Sequence, residues 1–254
     1  SEVVTFDGAI TEDWHKEESL DCINDDTFYF TWDDTGLYFS YLGPDADLSD
    51  GDFLVYLRGS NAASGSDSTS DWNGYHTLPF AAEYMFGIEN SSLGVGSNSQ
   101  FRKYTAGSWQ NQAVTNIDLY CGNSDTKVTE FRIGWDRLGG RPNDTLYVIA
   151  FHQYENASNV LNAYPLSNAA GGAQNIGFTD YYKFTDMADT MPQWDQKFDK
   201  LQIAADPLTV SKGENFSFMV WASNSKGDTL QGYKSDVVLT ISSGGVLSET
   251  YATL

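Results

Sequence analysis

Apolar and polar residues alternate along much of the chain up to about residue 154. A period of two is the spacing of β-strands, because successive side chains point to opposite faces of a sheet. The pattern predicts strands at 27–32, 37–42, 52–58, 80–89, 100–104, 115–121, 127–134 and 145–154. The segments between them are rich in Gly, Ser, Asn and Asp, which is typical of turns and loops.

The segment 27–42 has the strongest strand signal. TFYFTW is followed by DDTG at 33–36 and then by LYFSYL. DDTG predicts a tight turn in which Gly36 adopts a positive φ, so that the two apolar stretches form a hairpin. Both faces of this hairpin are largely apolar, as expected of strands in the middle of a sheet.

The fold class follows from what accompanies these strands. No segment shows the repeated three- and four-residue apolar spacing of an amphipathic helix. WDRLGG at 135–140 predicts one short turn, stopped by its glycines and by Pro142, and GSNAASGSDSTSDWNG at 59–74 predicts a long polar loop. We therefore expect an all-β fold, an antiparallel β-sandwich of jelly-roll or immunoglobulin-like type.

A change near residue 200 predicts a second, smaller domain. Residues 1–198 contain 10 basic and 29 acidic residues, a net charge of −19, whereas 199–254 contain 4 and 6, a net charge of −2. The spacing P-x-x-V-x-x-G-x-x-F, which begins at Pro207, resembles the first two strands of bacterial immunoglobulin-like surface domains. Such a sandwich needs about seven strands and ~100 residues. We therefore expect a partial immunoglobulin-like domain, which is either one piece of a longer chain or completed by neighbouring domains or subunits.

Composition excludes several classes of protein. The chain has 14 basic and 35 acidic residues, a net charge of −21, so nucleic acid is not an expected partner. With 15 Phe, 15 Tyr and 7 Trp it is too aromatic for a disordered protein. No apolar run approaches the ~20 residues of a membrane-spanning helix.

Aromatic residues in polar segments are the candidates for ligand binding. They are Trp72 and Tyr75 in DWNGYH, Trp109 in AGSWQN and Trp194 in PQWDQ, whereas Trp32 and Trp135 are expected in the core. Aromatic rings stack on the apolar faces of sugars, and polar side chains such as that of Arg102 bind the hydroxyl rim. The alternative is that each loop Trp folds over the end of the sandwich as a lid.

The sequence DADLSDGD at 45–52 is the candidate metal site. Asp45, Asp47, Asp50 and Asp52 lie within one short segment, and Gly51 allows a sharp turn. Calcium takes six to eight oxygen ligands, which closely spaced Asp side chains and loop carbonyls can supply. The spacing differs from that of an EF-hand, and the alternative is a solvated acidic turn.

Two cysteines, Cys22 and Cys121, fit neither a zinc motif nor a redox pair. Either they form a disulfide in an exported protein or they are free thiols in the core. The chain opens with SEVVTFDG, so a signal peptide is either already removed or was never present. No nucleophile elbow, zinc-protease motif or phosphate-binding loop is present, and we expect no enzymatic activity.

Five stretches in order resemble the family 9 carbohydrate-binding modules and the wider group of DOMON-like sandwiches. These are FDGAITEDW at 6–14, FYFTWDDTGLYFSY at 28–41, GDFLVYLRG at 51–59, TEFRIGWDRLGGRPNDTLYVIAFHQYEN at 129–156 and MPQWDQKFDKLQI at 191–203. The resemblance implies a β-sandwich over 1–198, with Trp194 at the place of a sugar-clamping ring. It also favours structural calcium, which related modules often hold.

Together these features predict a non-catalytic, calcium-stabilised carbohydrate-binding module of a secreted or cell-surface multidomain protein. Its expected partner is a polysaccharide or other glycan. The alternative is a structural or adhesive subunit of an extracellular surface layer or filament, in which the C-terminal sheet is a joint.

Overall fold

The computed structural model describes two compact units, Ser1–Pro192 and Gln193–Leu254. The described residues are 4, 6–10, 14, 18–23, 26–46, 48, 51–70, 74–89, 99–114, 117–120, 127–154, 159–185 and 187, together with the strands at 200–206, 217–223, 236–238 and 251–253. Nearly all regular structure in these residues is antiparallel β-sheet, so the predicted fold class is confirmed. No helix in the described part of the chain is long and apolar enough to cross a membrane.

The first sheet of unit 1 has five strands in the order β1-β2-β3-β11-β10. Their bounds are β1 Ser19–Ile23, β2 Asp26–Trp32, β3 Gly36–Leu42, β10 Ile117–Tyr120 and β11 Val128–Gly134. The β2–β3 hairpin lies in the middle of the sheet, as its two apolar faces predict. Gly36 does not take the predicted positive φ. A glycine is needed at position 36 for another reason: a Cβ there would lie 2.5 Å from the Ile133 carbonyl oxygen on β11.

The second sheet has the order β13-β12-β4-β7-β8-β9, and β14 pairs with β12 beside β13. Its strands are β4 Gly51–Gly59, β7 Tyr84–Glu89, β8 Ser99–Thr105, β9 Ser108–Gln112, β12 Leu146–Tyr154, β13 Val160–Tyr164 and β14 Tyr182–Phe184. A separate hairpin of β5 Ser66–Ser68 and β6 Thr77–Ala82 accompanies this sheet. It interrupts the loop predicted at 59–74. The strand predicted at 80–89 is divided at Glu83 into β6 and β7.

Apolar side chains from the facing surfaces of the two sheets form the central core. They include Phe28, Phe39, Phe53, Phe86, Phe131 and Val148, all fully buried. Trp32 and Trp135 lie in this core as predicted. WDRL forms a short 3-10 helix at Trp135–Leu138, which ends at Gly139 in a left-handed conformation.

Each sheet is also covered on its outer face. On the five-stranded sheet, Val4 and Trp14 from the N-terminal segment pack against Tyr38. On the seven-stranded sheet, Leu78 and Ala82 of β6 and the segment with Ile176 and Phe178 pack against apolar side chains of β4, β7 and β12. From here on, 'the outer face' means this side of the seven-stranded sheet, which faces away from the central core. It carries the candidate ligand-binding residues.

The described residues of unit 2 form two strand pairs. β15, Lys200–Asp206, pairs with β16, Ser217–Ser223, and β17, Asp236–Val238, pairs with β18, Tyr251–Thr253. The strand β16 coincides with the alternating sequence SFMVWAS. Its assignment to an immunoglobulin-like domain stays a prediction.

Candidate functional site

The β8–β9 hairpin brings an aromatic pair to the outer face of the seven-stranded sheet. Ala106 and Gly107 both have positive φ and form a two-residue turn, which places Tyr104 directly opposite Trp109. The two rings lie 5.5 Å apart in an edge-to-face arrangement. Phe101 points into the central core, so alternation directs Tyr104 to the outer face.

Trp109 lies on a strand, and the prediction that it belongs to a loop is wrong. The sequence does not reveal this strand, because β9 directly follows the turn residues Ala106 and Gly107 and is too short and polar to show an alternating pattern. The ring is half-buried against the outer-face cluster, 5.7 Å from Tyr56. Its Nε1 donates to the Ser68 carbonyl oxygen at 3.1 Å, which ties β9 to the β5–β6 hairpin.

Arg102 lies on the same face as Trp109, two residues before Tyr104 and opposite Asn111. Its Nε donates to Gln100 Oε1 at 2.8 Å. Burial raises the pKa of Tyr56 to about 12, and the nearby charge of Arg102 opposes that rise. The guanidinium therefore lies beside the aromatic patch that holds Trp109.

Tyr75 lies in the loop 69–76, which begins directly after Ser68. Hydrogen bonds close the base of this loop, from Thr69 N to the His76 carbonyl oxygen at 3.0 Å and from His76 N to Thr69 Oγ1 at 2.8 Å. The Tyr75 side chain is 69% exposed, whereas the adjacent His76 is buried. The loop thus presents Tyr75 to solvent.

The other two predicted ligand-binding residues, Trp72 and Trp194, lie outside the described residues. The structure therefore places Arg102 and Trp109 on one face through the β8–β9 register, and it places Tyr75 in the loop that follows β5, the strand whose Ser68 accepts from Trp109. Sequence reasoning missed Tyr104, whose position could have been read from the two-residue turn AG between YT and SW.

A second aromatic group on the outer face was also missed. Phe80 on β6, Tyr147 on β12 and Tyr181 before β14 pack together, with ring centroids 5.2 to 5.8 Å apart. The Tyr181 side chain is 39% exposed. These residues come from distant parts of the sequence, so only the strand order brings them together.

The predicted metal segment connects β3 to β4. Asp45 is exposed, and Asp52 is fully buried at the start of β4, where its Oδ2 accepts from Gln153 Nε2 at 3.4 Å. Asp47 and Asp50 lie outside the described residues. Among the residues that are described, no three His, Cys, Asp or Glu side chains group closely enough to hold a metal ion.

A buried carboxylate outside the predicted segment 45–52, Asp26, lies next to Asp45. Asp26 is 1% exposed, and Asn162 Nδ2 donates to its Oδ2 at 2.8 Å. The backbone N–H of Asp45 points at Asp26 Oδ1, 3.4 Å away. Burial, with a smaller contribution from the negative charge of Asp45, raises the pKa of Asp26 to about 6. A cation near these two side chains would relieve both costs of ionisation.

Whether the two cysteines form a disulfide or remain free thiols stays a prediction. Cys22 lies on β1, where its backbone pairs with Thr27, and Cys121 lies outside the described residues. Comparison with known proteins gives no assignment either. No family model, no curated protein and no solved structure matches this chain.

Proposed function

We propose that unit 1 is a non-catalytic carbohydrate-binding module of a secreted or cell-surface protein. The observation that carries this proposal is the outer face, where Trp109, Tyr104 and Arg102 lie together on one β-hairpin. Flat rings beside a fixed hydrogen-bond donor suit a pyranose, which has apolar faces and a polar rim. The resemblance to family 9 carbohydrate-binding modules favours the same ligand class.

The test is binding to a glycan array, followed by affinity measurements on each glycan that is bound. Replacing Trp109 by Ala removes the larger ring, and we expect affinity to fall at least about tenfold, or ~1.4 kcal/mol. Because Trp109 is half-buried, Trp109→Phe is measured as well; it keeps an aromatic ring for packing but loses the bond to Ser68.

The matched control is Tyr154→Ala, an exposed aromatic residue at the far end of β12. It is expected to bind like wild type. Equal binding by wild type and by a folded Trp109→Ala would refute the role of this surface. If wild type binds no glycan, the structural or adhesive role becomes the better proposal.

We also propose that calcium binds at the segment 45–52 and stabilises it. The support is a loop of closely spaced Asp residues beside the buried carboxylates of Asp26 and Asp52. A ligand that binds only the native state stabilises it by about 2.7 kcal/mol at a concentration of ~100 times its Kd. Calcium should therefore raise the melting temperature above its value in chelator, and magnesium at equal concentration should raise it less.

Two variants separate binding at this segment from general screening of the negative charge. Asp45→Asn removes one candidate ligand, and Asp67→Asn removes one exposed charge from β5. The calcium-dependent rise should shrink in the first and persist in the second. The calcium proposal fails if both variants keep the full rise, or if wild type melts at the same temperature with calcium and with chelator.

A further inference from the structure

We propose that the ligand is an extended polysaccharide chain, held by two aromatic surfaces on the outer face rather than by a clamp on a terminal sugar. The first surface is the pair Tyr104 and Trp109, and the second is the cluster of Phe80, Tyr147 and Tyr181. This inference rests on the carbohydrate-binding function proposed above and specifies which form of glycan that function serves.

The second surface has the shape of a corner. The Phe80 and Tyr147 rings are inclined by only 35°, whereas the Tyr181 ring stands at 75° to Phe80 and at 73° to Tyr147. β14 is attached to β12 by backbone pairing, and its Tyr182 and Phe184 pack against the central core. The exposed Tyr181 ring is therefore not needed to fix this strand.

The two aromatic surfaces lie on one row across the sheet. Tyr147 is paired with Arg58 on β4. Glu83, which directly precedes β7, donates its N–H to Leu57 O and accepts from Tyr104 N at its carbonyl oxygen. Tyr104 is in turn paired with Trp109. Three strand spacings of ~4.8 Å separate Tyr147 from Tyr104, or about 14 Å. Only a chain of several sugar units could reach both surfaces.

Two of the described cations lie beside the ring groups on this face, Arg102 next to the first surface and Lys183 next to the second. Lys183 is exposed and is paired with Tyr147, on the side of β14 opposite Tyr182 and Phe184. Arg58, by contrast, lies beneath the β5–β6 hairpin, where its Nη1 donates to the Ala81 carbonyl oxygen. The cation beside each ring group is complementary to a ligand rich in acceptor oxygens. Hydroxyl and carboxylate groups of a polysaccharide both meet this requirement.

The experiment measures affinity against chain length. The probes are glucose, xylose and galacturonic acid oligomers, from disaccharide to octasaccharide, together with the parent polymers. When a chain reaches the second surface, the added contact is intramolecular, so wild-type affinity should rise ~tenfold or more between short and long oligomers. The neutral and acidic series show which acceptor groups the cations bind.

Tyr181→Ala should abolish the rise of affinity with chain length. Trp109→Ala should lower affinity for short and long oligomers alike, and Tyr154→Ala should match wild type throughout. Tyr181→Phe, which keeps the ring, should retain most of the rise and guards against a folding defect in the alanine variant.

The inference is overturned, and the proposed function stands, if wild type binds disaccharide and octasaccharide equally or if Tyr181→Ala keeps the full rise with length. Loss of all affinity in Trp109→Ala beside unchanged Tyr181→Ala would likewise place the ligand on the first surface alone. A wild-type protein that binds no probe of any length would overturn both proposals.

Discussion

Asp33 fixes the turn between β2 and β3 by accepting several hydrogen bonds. Its Oδ1 accepts from Thr35 N and Thr35 Oγ1, both at 2.6 Å, and from Gly36 N at 3.0 Å, while Tyr38 donates to Oδ2 at 3.0 Å. Partial burial raises the pKa of Asp33, but these hydrogen bonds outweigh it and hold the pKa below 3.8.

Asp33→Ala is therefore expected to lower the free energy of unfolding by about 1–3 kcal/mol at pH 7. Asp34→Ala is the control in the same turn, since Asp34 is exposed and makes only a surface ion pair with Arg141. Because the folded-state pKa of Asp33 is depressed, its contribution is present above pH 3.8 and disappears as the pH falls through the folded value. Urea denaturation should show a smaller difference from wild type at pH 3 than at pH 7; equal differences would contradict this.

Asp26 has the opposite linkage to pH. Its pKa is raised from 3.8 to about 6, so the folded state binds its proton more tightly than the unfolded chain. The stabilisation from this group is therefore present below pH 3.8 and is lost as the pH rises to about 6, at ~1.4 kcal/mol per pKa unit.

Asp26→Asn cannot ionise and should gain stability relative to wild type as the pH rises from 4 to 7. Thermal melts of both proteins in chelator, at intervals across this range, measure the gain without a contribution from cations. A constant difference between the two melting temperatures would show that Asp26 does not titrate in this window.

Among the elements, the β5–β6 hairpin depends on a neutral histidine. His76 Nδ1 accepts the Ile176 N–H at 3.1 Å, and His76 Nε2 lies 3.4 Å from Gln153 Oε1. The ring also packs against Phe151 and Phe178. Among the described residues that are hydrogen-bonded around His76, Asp52 is the one with a charged side chain. It accepts a hydrogen bond from the side-chain amide of Gln153. A protonated imidazole has no acceptor for the Ile176 N–H.

Burial lowers the pKa of His76 below 6.5, although the contact with Gln153 opposes this. The contribution of neutral His76 to stability is therefore complete above pH 6.5 and is lost as the pH falls below that value. We expect the Ile176 amide to lose protection from hydrogen exchange between pH 7 and pH 5, after correction for intrinsic rates. The Phe178 amide, which donates to the Thr77 carbonyl oxygen, is the internal control. Equal protection of Ile176 at both pH values would refute this dependence.

Long alternating stretches were predictable, and short polar strands were not. All eight predicted segments contain observed strands, because apolar residues facing the core impose the period of two on the sequence. β5 (SDS) and β9 (SWQNQ) carry no such pattern, since β5 lies outside both main sheets and β9 is an edge strand. Their pairing depends on neighbouring strands rather than on their own composition.

The candidate site was less predictable than the fold because it is assembled from registers between distant strands. The residue types at Trp109 and Arg102 indicated a ligand role, but only the β8–β9 register places them on one face. The pairing of Tyr147 with Arg58, and the backbone hydrogen bonds that join Glu83 to Leu57 and Tyr104, cannot be read from the local sequence. The closely spaced Asp residues predicted a site at 45–52. The contact of Asp45 with the buried Asp26, 19 positions earlier, depends on the fold and is not visible in the sequence.

At the scale of the whole molecule, the C-terminal end of the described part of unit 1 contributes to its core. The three apolar clusters of the described residues extend from Val4 to Met187. Met187 is fully buried in the central core, and Tyr182 and Phe184 pack against that core. The C-terminal strand of the sandwich, β14, therefore contributes to stability although it has only three residues.

Residues 1–198 expressed alone should fold cooperatively, whereas residues 1–180 should be less stable by more than about 3 kcal/mol. The shorter fragment lacks β14 and Met187, so the central core loses several large apolar side chains and part of the β12 edge loses its partner. The net charge of −19 repels itself in both fragments, so they are compared at one fixed ionic strength, where screening is equal. Urea unfolding followed by tryptophan fluorescence measures the difference. If 1–180 unfolds at the same urea concentration as 1–198, then β14 and Met187 do not stabilise the central core, and the Tyr181 surface would lack the fixed strand on which its geometry depends.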